Sequence, residues 1–153
     1  MIARAMTVIA ALGLVACNNA STSKPPAASE PATAPAAATD LHSAFTNLTV
    51  DQVSALVAAK KCVPVDANKA ETRGQFGVLP GAVLLSDYHD YKLGELPADK
   101  NAKLVFYCGG TACTAAPKAA ALAVKAGYED VNVMREGIRG WVQAGKPVDK
   151  PST

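Results

Sequence analysis

The run Lys103-Leu104-Val105-Phe106-Tyr107 constrains this chain most. A strand with one solvated face would alternate polar and apolar residues. From Leu104 onward this run is continuously apolar and so predicts a strand buried on both faces, which needs cover on each side. Thr49-Val50-Asp51-Gln52 has the spacing of a capping box, with Thr49 at the N-cap and Gln52 at N3. Val50, Val53, Leu56 and Val57 follow at helical spacing, and Lys60-Lys61 suit a C-terminal turn, so a helix is predicted over about 50–60. Cys62 to Val65 predicts a short strand ending at Asp66. Pro64 means either that this is not an ordinary central strand or that it sits where no N–H is needed. Val78-Leu79-Pro80-Gly81 is a turn into a second short strand, Ala82 to Leu85, and 86–99 is polar and loop-like. Thr114 is placed to cap a helix that runs to about Ala126 and stops at Gly127, with Pro117 tolerated in its first turn. Val131 to Met134 is a further short strand, and Gly137 to Gly145 turns into a short helix carrying Trp141. The alternation predicts an α/β fold, a small parallel sheet flanked by helices.

The N-terminal quarter has a different character. Half of the 153 residues count as hydrophobic, but 31 are alanine, and many of those lie outside the predicted elements. Arg4 followed by the uncharged apolar stretch Ala5 to Ala16 reads as an export signal, too short to span a bilayer comfortably. It ends in Leu14-Val15-Ala16-Cys17, which looks like a bacterial lipobox, with cleavage before Cys17 and acylation of that residue. The alternative is an ordinary signal with a cysteine placed there by chance. Asn18 after the cysteine, by resemblance to Gram-negative lipoproteins, favours the outer membrane, facing the periplasm, in a membrane contact made through the lipid alone. Residues 18–40 hold 8 Ala, 4 Pro, 3 Ser and 3 Thr, with no Val, Ile, Leu or aromatic residue. They cannot offset their ordering entropy by burial and read as a tether. The expected division is thus a signal at 1–16, a lipidated Cys17 with its tether to 40, and a folded domain over 41–153. Net charge is +2, and no basic run exceeds Lys60-Lys61, which argues against a nucleic-acid partner.

The chemistry concentrates in Cys108-Gly109-Gly110-Thr111-Ala112-Cys113-Thr114. A cysteine leaves a buried strand, small residues let the backbone curl around its sulfur, and a helix begins at once. Loop and first-turn N–H groups then form an anion cradle that favours a thiolate. His42 and His89 have no spacing that marks them as bases for it. No group has metal-ligand spacing, and neither a metal nor another cofactor is expected.

Residues of about 48–149 resemble a single-domain rhodanese, a sulfurtransferase. Val63-Pro64-Val65-Asp66 is similar to that family's first core strand ending in aspartate. Gly77-Val78-Leu79-Pro80-Gly81-Ala82 is similar to its G-x-[IL]-P-G-A turn, and Leu104 to Cys108 to the strand that delivers the active cysteine. Gly137-Ile138-Arg139-Gly140-Trp141, with Ala144-Gly145-Lys146-Pro147-Val148, resembles its closing motif, with Arg139 and Gly140 variant in detail. The resemblance implies a three-layer rhodanese-like domain in which Cys108 takes sulfane sulfur from a small donor, holds it as a persulfide and yields it to a thiol acceptor or cyanide. The amides of 109–114 would stabilise the anionic sulfur.

Departures from the family accompany this match. The loop carries no cation from 109 to 114, and Asn68 stands where an arginine often follows the strand-end aspartate; Arg73 is a candidate substitute. The related phosphatases need a loop one residue longer with arginine at cysteine plus six, where Thr114 stands, so phosphatase chemistry is disfavoured. Cys113 is a second thiol in the loop. It is either a small buried residue facing the helix or a partner for Cys108, in a disulfide or as the resolver of a persulfide. Three function classes therefore stand side by side: a sulfurtransferase, a thiol–disulfide protein using Cys108 and Cys113, and a non-catalytic binding module. Asp66 and Cys62 read as structural, Trp141 as the anchor of the last helix, and His89 as part of a solvated loop or of the rim of the site.

Overall fold

The computed structural model describes residues 45–151. The signal, Cys17 and tether readings lie outside the described residues. In chain order the elements are β1 (Thr46–Asn47), α1 (Val50–Ala58), β2 (Val63–Asp66), α2 (Ala70–Phe76), β3 (Val83–Leu84), a 3-10 turn at Leu93–Glu95, β4 (Leu104–Tyr107), α3 (Ala115–Lys125), β5 (Val131–Met134) and α4 (Gly137–Gln143). The five strands form one sheet in the order β1-β5-β4-β2-β3, and every pairing is parallel. Among the described residues, no helix is long and apolar enough to cross a membrane.

β4 lies at the centre of the sheet, and all four of its residues are buried. Successive side chains of a strand point to opposite faces. Leu104, Phe106 and, just beyond, Cys108 pack with the alanines of α3, whereas Val105 and Tyr107 pack with Val53, Ile138 and Trp141. That division explains the continuous apolar run. On the α3 side, Ala116, Ala119, Ala120 and Ala123 are essentially inaccessible. Their small side chains let the helix backbone settle close to β4 and β5. The opposite layer is filled by larger groups, with Trp141 1% exposed and its indole N–H donating to Pro147 O at 2.7 Å.

α1 has the predicted capping box in full: Thr49 Oγ1 accepts from Gln52 N, and Gln52 Oε1 accepts from Thr49 N. It ends at Ala58, two residues short of the expected end, and Lys60 turns out of it at φ +53°. Pro64 sits inside β2, an internal strand, and its position resolves the alternative left by the sequence. Val63 N and Ala67 N donate to Lys103 O and Tyr107 O on the β4 side. Pro64 therefore faces the β3 side, where pairing begins only at Val65 with Val83, so no N–H is required there. The segment read as a polar loop, 86–99, is anchored more firmly than expected. Tyr91 is buried and its hydroxyl donates to Ala119 O at 2.9 Å, while Leu96 is buried in the same layer.

Candidate functional site

The carboxyl ends of β2 and β4 lie side by side, since Asp66 is in register with Tyr107. Open parallel sheets place their ligand sites at this edge. Asp66 is fully buried. Its carboxylate accepts from Asn68 N at 2.7 Å, from Asn68 Nδ2 at 3.3 Å and from Arg73 Nε at 3.0 Å. Arg73 Nη2 also donates to the carbonyls of Asp66 and Leu85. Arg73 is thus consumed by a closed structural cluster and does not substitute for a loop cation. Asp66 does what was expected of it and holds the start of the following loop. The Tyr107 hydroxyl accepts from Leu79 N at 3.0 Å, and burial, with the Asp66 carboxylate nearby, holds that phenol protonated well above its ordinary range.

One residue beyond β4, Cys108 is 3% exposed. The loop then closes through a turn in which Cys113 N donates to Gly110 O at 2.9 Å. Its carbonyls are gripped from the other side: Ile138 N donates to Cys108 O at 2.8 Å and Arg139 N to Gly109 O at 3.3 Å. Gly137 makes this clamp possible. It adopts φ +62°, and a Cβ there would collide with Cys108 O, with Gly110 N at 2.6 Å and with Gly109 C at 2.9 Å.

The two loop thiols face each other as donor and acceptor, Cys108 toward Cys113. The expectation that the amide cradle favours a Cys108 thiolate is reversed: burial first, then the interaction with Cys113, pushes the Cys108 thiol up to about 12, against the opposing pull of the Ala116 and Gly110 amides. Burial also works against a Cys113 thiolate, but the Cys108 thiol and the N–H groups of Ala115, Gly109 and Ala116 outweigh it and hold Cys113 below the ordinary cysteine range. The interaction between the two thiols thus favours the proton on Cys108 over the proton on Cys113. Cys113 is half-buried and packs against the layer that α3 covers. It borders open clefts on both sides of the loop, one of about 560 Å³ shared with Gly110, Glu136 and Arg139, and one of about 300 Å³ shared with Asn68, Lys69 and Tyr88.

Thr114 occupies the N-cap of α3, but its backbone, at φ −102° and ψ 0°, is not extended and its side chain accepts no capping hydrogen bond. The expected side-chain cap is not made; the first-turn N–H groups of Ala115 and Ala116 instead favour a thiolate at Cys113. Two arginines from outside 109–114 approach the loop. Arg139 passes beside Gly110, its guanidinium 5.5 Å from the Phe76 ring centroid, and borders the larger cleft. Arg135 Nη2 donates to Thr111 O at 3.4 Å. Sequence reasoning recorded Arg139 only as a motif variant. Its distance from the loop in sequence hid its place in the site. Tyr88 borders the smaller cleft, while its neighbour His89 is exposed and outside the residues that line either cleft. Cys62 sits on the opposite layer beside the Trp141 cluster, and burial pushes its thiol up to about 11 despite nearby Lys103. No group of metal-ligating side chains occurs among the described residues.

Comparison with known proteins agrees with this architecture. Residues 49–144 match the family model for the rhodanese-like domain. A protein of unknown function from Rhodopseudomonas palustris, described as a possible tyrosine phosphatase, superposes with a TM-score of 0.58 at 25% identity, over 72% of this chain and 89% of that one. The rhodanese-like domain of an Anabaena protein gives a TM-score of 0.58 at 18% identity, over 69% and 79% of the two chains. A human single-domain sulfurtransferase gives 0.52 at 18% identity, over 63% and 95%. No curated protein sequence matches the chain significantly. With its five parallel strands, four helices and a cysteine loop at the end of the central strand, the chain belongs to the rhodanese-like domain family, some members of which are sulfurtransferases.

Proposed function

We propose that this protein is a sulfurtransferase that moves sulfane sulfur through a persulfide on Cys108. The observation that carries the proposal is the loop itself: a cysteine at the end of the central buried strand, with the backbone N–H groups of Gly110 and Ala116 acting on its sulfur. With thiosulfate as donor, Cys108 gives up its proton to solvent and its sulfur attacks the sulfane sulfur. The donor S–S bond breaks, sulfite leaves with the electron pair, and Cys108 retains the added sulfur as an anionic persulfide. An acceptor thiolate or cyanide then attacks the outer sulfur and Cys108 leaves as thiolate. The amides of the loop and of the first turn of α3 face the anion in each step. Arg139 and Arg135 supply positive potential at the mouth, moderated by Glu136, which favours a small anionic donor. Thr114 at cysteine plus six weighs against phosphatase chemistry, because no arginine stands there to hold a phosphoryl group.

The N-terminal signal, Cys17 and the proline- and alanine-rich tether support placing this activity in the bacterial envelope, lipid-anchored at the outer membrane and facing the periplasm. The test is steady-state sulfite release from thiosulfate with cyanide or a small thiol as acceptor. Wild type should turn over and Cys108→Ser should not. Equal rates in the two would refute the assignment.

A further inference from the structure

Cys113 stands in a place that single-cysteine sulfur transfer does not need. It lies in the turn that its own N–H closes onto Gly110 O, five residues after Cys108, it borders both clefts, and its thiol interacts with that of Cys108. We infer that the loop is a two-thiol reductant of sulfane sulfur: Cys113 attacks the sulfur of a Cys108 persulfide, closes a Cys108–Cys113 disulfide and expels hydrosulfide. This rests on the reading that Cys108 is loaded with sulfur.

Loading releases the Cys108 proton to solvent. A proton taken up at the outer sulfur gives a Cys108–S–SH group with the Cys113 thiolate beside it. Cys113 then forms a bond to the Cys108 sulfur, the bond from that sulfur to the outer one breaks, and the outer sulfur leaves as HS⁻ with the pair of electrons. The sulfane sulfur is reduced by two electrons, and the two thiols are oxidised to one disulfide. Cys113 already faces Cys108, so the nucleophile needs no long-range movement. A further turnover requires an external dithiol to reduce the disulfide. The Cys113 sulfur, bordering two open clefts, is the sulfur that such a reductant can reach, whereas Cys108 is 3% exposed.

The experiment uses the full chain, reduced, freed of reductant and held under nitrogen. It is mixed in separate arms with thiosulfate and with inorganic tetrasulfide, and wild type is compared with Cys113→Ser. Intact mass and maleimide labelling are read in both arms, and released sulfide in the thiosulfate arm. Wild type should release sulfide and lose two labelled thiols without gaining mass from sulfur. Cys113→Ser should release none and keep one sulfur atom's added mass on Cys108. A wild type that retains the added sulfur and releases no sulfide, with Cys113 still labelled, overturns the inference. If Cys113→Ser gains no sulfur in either arm, the loading reading has failed, and this inference falls with it.

Discussion

The ends of β2 and β4 are neighbours at one edge of the sheet, yet they treat negative charge in opposite ways. At the end of β2 the Asp66 carboxylate is fully buried and closed on itself by Arg73 and Asn68. At the end of β4 the sulfur pair has no directly bound cation. It is surrounded by backbone amides, with Arg139 and Arg135 at the rim. A fixed ion pair satisfies its charge permanently and so serves structure. An amide cradle stabilises a charge that can be created, moved and released, which is what sulfur chemistry requires.

The sharpest way to break the comparison is to open the β2 end. Arg73→Ala leaves a buried carboxylate without its partner and should destabilise the fold by about 3–5 kcal/mol, read as a lower urea midpoint. A loss below about 1 kcal/mol would mean the cluster is not structural. Gly137→Ala attacks the β4 end through its clamp. Positive φ at a residue with a Cβ, plus collision with the Cys108 and Gly110 backbone, should cost about 2 kcal/mol or more and move the loop. Sulfur loading of that variant should fall even below its unfolding temperature. Arg139→Gln removes exposed charge at the mouth and leaves the thiols in place. It should raise KM for thiosulfate about three- to fivefold with kcat little changed, the scale of an exposed charge contact worth under about 1 kcal/mol. The smallest effect concerns the Cys113 thiol. Alkylation by iodoacetamide follows the thiolate, so Cys113 should titrate with a midpoint below the ordinary cysteine value of about 8.5. Cys108→Ala removes the thiol that donates toward Cys113, so the midpoint should move up. A midpoint that stays put would separate the two thiols electrostatically.

The two ends also differed in how far the sequence disclosed them. β4 was legible because its apolar run is continuous, β5 because it is a short, largely apolar stretch that follows the turn at Gly127, and α1 because its capping box precedes helical spacing. β1 has two exposed residues and carries no pattern. α2 has no buried residue and a glycine at its centre, so no apolar periodicity marks it. With α2 unread, the Arg73 pairing to Asp66 could not be foreseen, and Arg73 stood as a loop cation. The Cys108 loop and the presence of Cys113 were legible from composition and position. Which thiol holds the proton depends on burial and on the direction of the α3 amides, and the position of Arg139 depends on α4 folding back over Gly110. Both are tertiary facts with no local signature.

The central claim is that the β4 end carries sulfur on Cys108. Its most direct measurement is the mass of Cys113→Ser after exposure to thiosulfate or tetrasulfide and removal of excess donor, followed by peptide mapping. The account predicts one added sulfur atom, mapped to the peptide containing Cys108 and removed by cyanide. An unmodified chain, or an adduct mapped to Cys62 alone, would contradict it.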